Sequence, residues 1–224
     1  MFVNNRFVKF KFEKPSDYLK LNHENIINVL FYSEKNLLLS NGLSNEKNLA
    51  KYLKKFIENN LASSCIVRSE KGMFLLINRK DHKSDLTYKY LEDLGGSIFN
   101  QTKSIGCSEV RIFENDQYLN RQIALGILLS SYKFNNYKKN KSKYTVDIKN
   151  VTFICDEPKK HSQNIQEIKN IANGVFTARD LVWQPPNILF PSSFANECKK
   201  LKKIGVKVTT VSYTHLTLPT TPYV

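Results

Sequence analysis

The side chains of this sequence that could do chemistry are scattered. Four cysteines (Cys65, Cys107, Cys155, Cys198) and four histidines (His23, His82, His161, His215) stand apart from one another. No pair has the spacing of two ligands on one zinc ion. Three of the cysteines lie in or beside apolar strand-like runs, where reduced, buried thiols of a cytosolic protein are expected. None of the histidines has a neighbour that suggests catalysis. There is no G-x-G-x-x-G, P-loop, H-E-x-x-H or G-x-S-x-G string. Gly95-Gly96 is a lone pair, too short to bring several N–H groups onto a phosphate, and reads as a helix stop. The sequence therefore offers no catalytic, cofactor-binding or metal-binding residue.

Charge is the next possible signal. The formal net charge is +14. Lys greatly outnumbers Arg, however, and Asn and Ile are also abundant, as AT-rich coding would impose. The only dense basic run is Lys138 to Lys143. Readers of base edges lean on the planar fork of Arg. The charge is read as a solvated surface that allows weak, salt-sensitive contact with nucleic acid. No apolar run is long enough to cross a membrane, so no membrane partner is expected. The N-terminus MFVNNRFVKFKF alternates and has the form of neither a signal nor a transit peptide.

The elements alternate in type. Arg6 to Phe12 reads as a strand near a sheet edge because of its lysines, with Pro15 ending it. Ile26 to Tyr32 is apolar enough for a strand buried on both faces. A helix is expected over Asn45 to Asn59. Ser63 to Arg68 and Met73 to Asn78 form a hairpin across Glu70-Lys71-Gly72. A helix capped by Ser84 or Asp85 follows, ending at Gly95-Gly96 or continuing to Phe99. Glu109 to Phe113 is a strand, Asp116 starts a helix, and Val146 to Cys155 is a strand. Strands alternating with helices, with one hairpin inserted, give an α/β layered domain on a mixed sheet.

The most informative stretch is Asn164 to Leu201. Ile165, Ile168, Ile171, Ala172, Val175, Ala178, Leu181 and Val182 recur at steps of three and four, the stripe of an amphipathic helix. Pro185 and Pro186 stop it near Trp183. Pro191 suits the first turn of a second helix, Ser192 to Lys203, closed by Gly205.

Within this stretch, ANGVFTARDLVWQPPNILFPSSFA resembles the junction of the leucyl (cytosol) aminopeptidases, A-x-G-x-x-x-A-R-D-L-V-N-x-P-P-N-x-L-T-P-x-x-F-A. The matches are Ala172, Gly174, Ala178, Arg179, Asp180, Leu181, Val182, Pro185, Pro186, Asn187, Leu189, Pro191, Phe194 and Ala195, in order and without gaps. GILLSSYKFNNYKKNK, Gly126 to Lys141, is similar to a second segment of that family, G-x-x-L-x-S-Y-x-F-x-x-Y-K-T. Two positions depart from the pattern. Trp183 replaces an Asn, and Phe190 replaces a Thr that would cap the following helix.

The resemblance implies a three-layer, macro-domain-like unit with a mixed sheet over residues 1–160. A linker helix would occupy 161–183, and 184–210 would open a truncated catalytic domain. It also implies a cytoplasmic, hexameric parent enzyme that releases N-terminal residues from peptides with two divalent metals, zinc or manganese. The family's ligands sit in motifs such as N-T-D-A-E-G-R, and no such string occurs here. The residues that do match, Arg179, Asp180, Pro185, Pro186 and Asn187, are expected to be structural. The alternative is a stand-alone basic α/β module that binds nucleic acid or a nucleotide. VSYTHLTLPTTPYV, residues 211–224, has no Lys, Asn or acidic residue and is expected to be a non-native tail.

Overall fold

The computed structural model describes residues 8–18, 25–32, 63–69, 72–79, 86–137 and 148–211. Several expectations fall outside them: the helix over 45–59, the turn residues Glu70 and Lys71, the cap candidates Ser84 and Asp85, the basic run 138–143 and the tail beyond 211. The chain divides into two units, Met1–Phe176 and Thr177–Val224. The division falls within one helix.

The first unit is built on a six-stranded sheet. Its strands are β1 (Lys9–Glu13), β2 (Ile26–Tyr32), β3 (Ser64–Ser69), β4 (Gly72–Asn78), β5 (Glu109–Phe113) and β6 (Asn150–Ile154), in spatial order β1-β6-β5-β2-β4-β3. Only β3 runs antiparallel, paired to β4. The expected hairpin is there, and Gly72 at its end takes φ 123°, a conformation that side chains resist. β1 is an edge strand, as its lysines suggested, with Lys9 and Lys11 exposed. It spans Lys9–Glu13, starting three residues and ending one residue later than the expected Arg6 to Phe12, and pairs with β6 from Lys9↔Asn150 to Glu13↔Ile154.

Every residue of β2 is buried, so both sheet faces are covered there. Alternation sends Ile27, Val29 and Phe31 to the main core with Leu75, Val110, Ile112, Val151 and Phe153. Leu30 and Tyr32 join Phe74, Leu76, Phe113 and Ile154 on the other face. Asn28, wholly buried in the middle of β2, donates from Nδ2 to the Met73 carbonyl at 3.2 Å.

The helices are α1 (Pro15–Tyr18), α2 (Tyr88–Ile105), α3 (Gln117–Ser130), α4 (Pro158–Ser162) and α5 (Ile165–Val182). The short α1 and α4 carry too little periodicity to stand out in the sequence. β6 begins at Asn150, later than the expected Val146. α3 starts where Asp116 predicted: the carboxylate accepts from Tyr118 N at 2.8 Å and Leu119 N at 3.2 Å.

Two expectations for α2 are corrected. Its cap is Thr87, whose hydroxyl accepts from Tyr90 N, and neither Ser84 nor Asp85. Of the two ends expected, the helix takes the one past Gly95-Gly96, and it runs beyond Phe99 to a left-handed Gly106 (φ 84°). The glycines are there for close approach. A Cβ on Gly95 would run into the carbonyl of Ile123 on α3. A Cβ on Gly126 of α3 would run into the carbonyl of Glu92 on α2. One on Gly96 would lie 2.8 Å from Ser130 Oγ. The two backbones touch at these points, and a tight helix–helix contact outweighs the intrinsic cost of helical glycine.

This contact yields a contrast. Gly95→Ala and Gly126→Ala are each expected to destabilise the chain by about 1–3 kcal/mol or more, because a backbone cannot move aside as a flexible side chain can. Gly174 in α5 has nothing within 4 Å of its hypothetical Cβ. Gly174→Ala should stabilise by about 0.5–1 kcal/mol. Urea midpoints of the three variants measure both effects.

Candidate functional site

The matched junction begins at the end of α5. Ile168, Ala172 and Phe176 are the buried residues of this helix. Arg179 and Asp180 occupy its last turn. Trp183 N donates to the Arg179 carbonyl at 3.1 Å and Gln184 N to the Leu181 carbonyl at 3.2 Å, closing the helix. The prolines follow at once. The Pro185 carbonyl accepts from Ile188 N and Leu189 N, both at 2.9 Å, so Pro186 and Asn187 sit in a compact turn.

Helix α6 (Pro191–Lys199) then opens with Pro191 in its first turn and continues as a 3-10 helix, Lys200–Ile204, to a left-handed Gly205 at φ 89°. Phe190 holds the N-cap position in extended geometry (φ −120°, ψ 170°) and makes no side-chain cap bond. Ser193 supplies what it lacks. Its hydroxyl accepts from Phe190 N at 2.8 Å and reaches back to the Ile188 carbonyl at 2.8 Å. This is half of a capping box, formed from the far side. Ser193 could have been found in the sequence as the third residue after the cap.

The structure thus gathers Pro185, Pro186 and Asn187 into one turn and leaves Arg179 and Asp180 on the preceding helix end. Around them the second unit exposes large apolar side chains: Val182, Trp183, Ile188, Phe190, Phe194, Leu201 and Ile204.

A different kind of site is common at the carboxyl ends of parallel strands, where open α/β sheets take their ligands. Here that end is tied together by the chain itself. Arg79, just after β4, forms an ion pair with Glu114, just after β5, across the end of β2. Its guanidinium lies over the Phe31 ring, 5.5 Å from the centroid. The other Glu114 oxygen accepts from Asp116 N at 3.0 Å, and Asn115 Oδ1 accepts from Asp156 N at 3.0 Å.

The cysteines offer no activated nucleophile. Cys107 and Cys155 are buried, and Cys65 and Cys198 are half-buried. Burial pushes the Cys65 and Cys107 thiols up. Burial, reinforced by the Asp156 charge, pushes Cys155 up to about 11. Of the histidines, only His161 lies among the described residues. It is buried, and its Nδ1 sits 2.9 Å from Asn120 Nδ2. Nothing in the sequence spacing links these two residues.

No protein-family model matches the chain. Among curated proteins it is similar to "Probable cytosol aminopeptidase 1" of Shewanella oneidensis, 33% identical over 142 residues, covering 60% of this chain and 27% of that protein. A "Probable cytosol aminopeptidase" of Brucella suis biovar 1 is 34% identical over 125 residues, covering 51% of this chain and 24% of that protein. Another, from Rhizobium johnstonii, reaches 42% over 89 residues, 38% of this chain and 18% of that protein. This chain is a relative of the cytosol aminopeptidases. It spans about a quarter of the length of the Shewanella and Brucella relatives. A lysine-to-glutamate mutant of tomato leucine aminopeptidase shares the fold, with a TM-score of 0.62 over 88% of this chain and 42% of that one, at 15% identity.

The resemblance implied an enzyme that works with two divalent metals. The described residues do not fit such a centre. Among the described residues no group of three or more His, Cys, Asp and Glu could hold a metal ion. After Asp180, Glu197 is the only carboxylate side chain in the whole sequence. What this cytosol aminopeptidase relative does contain is the junction turn and the sheet that precedes it.

The thiols can be tested directly. In the folded chain near neutral pH, Cys155 should react with iodoacetamide at least about a hundredfold more slowly than in urea, because both access and thiolate are withheld. Peptide mapping after timed quenching measures this.

Proposed function

We propose that this chain is the leading part of a cytosol aminopeptidase, a cytoplasmic di-metal exopeptidase that releases N-terminal residues from peptides. One observation carries the reading: similarity at 33–34% identity to cytosol aminopeptidases over half or more of the chain, on about a quarter of their length. The gapless match through Arg179, Asp180, Pro185, Pro186 and Asn187 supports it. On this reading residues 1–160 form the family's N-terminal, macro-like domain, 161–183 its linker helix and 184–210 the opening of the catalytic domain. Residues 211–224 are a non-native tail.

The five signature residues have a structural role, terminating the linker helix and turning the chain into the next domain. The metals, zinc or manganese, would be held by residues beyond those present. The N-terminal domain serves assembly, and the parent is a hexamer. The chain by itself is inactive. A second reading, a basic α/β module for nucleic acid, is favoured only by the net charge of +14. It requires duplex DNA binding that falls steeply with salt.

Two outcomes are expected. The purified chain, supplied with zinc or manganese, should release no product from a leucyl chromogenic substrate above a blank. Chelator-sensitive turnover that scales with protein would overturn the inactivity. The apolar side chains on the second unit should drive self-association at high concentration. Phe190→Ser with Phe194→Ser should shift the chain toward monomer in light scattering.

A further inference from the structure

α3 carries a stripe that seats the two following helices. Gln117 Nε2 donates to the Lys160 carbonyl of α4 at 2.9 Å. Asn120 meets His161 of α4, and Arg121 pairs with Glu167 of α5 at 2.7 Å. Gln117, Asn120, Arg121 and Ala124 lie at helical steps, and a water-sized cavity runs between them and Phe12, His161, Ile165 and Ile168. Gln117–Lys160 and Arg121–Glu167 are exposed contacts. Asn120 and His161 are 2% and 6% exposed, so theirs is the buried contact of the stripe.

The protonation state of this contact is fixed by geometry. Asn120 Nδ2 has two hydrogens. One goes to the Glu114 carbonyl at 2.8 Å, an acceptor only, which sets the orientation of the amide. The other points at His161 Nδ1 at 2.9 Å. Nδ1 must therefore accept, and the imidazole must be neutral with its proton on Nε2. Flipping the amide would set Oδ1 against the Glu114 carbonyl and lose that bond. A protonated His161 would instead confront N–H with N–H inside the core.

We propose that His161 is a proton-sensitive latch, holding α4 and the start of α5 on α3 only while its imidazole is neutral. The charged groups around it pull in both directions, and burial decides against the proton. On α4 itself Lys160 opposes protonation and Glu157 favours it. From the β5–α3 connection, Glu114 and Asp116 favour it, but Glu114 is engaged by Arg79 and Asp116 caps α3. α3 adds the cation of Arg121, paired with Glu167 of α5. β1 presents the Phe12 ring, its centroid 6.3 Å from the imidazole. Burial, ahead of Lys160, lowers the His161 pKa from its ordinary value. A base whose folded pKa is depressed contributes stability that is complete above its unfolded pKa. That stability is lost as the pH falls from about 6.5 toward the folded value.

The test uses the whole chain. Long-range nitrogen–carbon NMR near pH 7.5 should show His161 as the Nε2–H tautomer. An Nδ1–H tautomer, or titration at or above the ordinary histidine value, would overturn the proposal. As the pH drops toward about 5, amide exchange, corrected for its intrinsic pH dependence, should rise over residues 157–168 while residues 91–102 stay protected. Equal protection of 157–168 at both pH values would sink the idea. H161Q can accept the Asn120 hydrogen without titrating, so it should abolish the acid-dependent part of the loss. An H161Q chain that opens in acid as readily as wild type would place the switch elsewhere.

Discussion

Two backbones in contact organise the first unit. Where α2 and α3 cross, Gly95 faces the Ile123 carbonyl and Gly126 faces the Glu92 carbonyl, each with no room for a methyl group. The contact is reciprocal, so neither helix can shift or rotate without clashing with the other. It sets how α3 lies on the sheet, with Ile123, Ala124, Ile127 and Leu128 in the core. It also sets which side of α3 is left to receive later elements. Gln117, Asn120 and Arg121 occupy that side, and the chain from β6 onward is seated on them. A dispersion-dominated contact of this kind is strong only while it is dry and close.

Much of this was legible in the residues. β2 read as buried on both faces because IINVLFY has no polar side to offer except Asn28. Glu109–Phe113, the Asp116 cap, the hairpin at Gly72 and the terminal Gly205 each follow from a local rule, and each is present. Local rules failed where tertiary contact decides. Gly95-Gly96 has the composition of a helix end, and only the helix packed against it shows why glycine stands there. Thr87 caps the helix, whose first buried residue is Leu91, where the local rule pointed to Ser84 or Asp85. Pro15 was read as ending a strand, and it also starts α1. The four- and five-residue helices α1 and α4 span about one turn each, too short for a period to register.

The candidate site divides in the same way. The junction was visible because a turn bounded by prolines needs specific residue types in a fixed order. Phe190 in place of a capping Thr looked like a defect. Ser193 compensates for it through a bond that spacing alone could have suggested. The pairing of Asn120 with His161 was invisible. The two are 41 residues apart and belong to no motif. Their meeting depends on the crossing of α2 and α3.

The sheet has a consequence for the order in which the chain can fold. β1 pairs with β6, with Lys9 opposite Asn150, although among the described residues these are the first and last strands in sequence. A ribosome adding about 5–20 residues per second separates their synthesis by on the order of ten seconds. Throughout that interval KFKFE is a nascent strand with no template. Its alternating lysines keep one side charged while two phenylalanines wait for the stacking they later find on Phe153. β1 can be placed only after β6 has emerged, and its lysines keep one side charged until then.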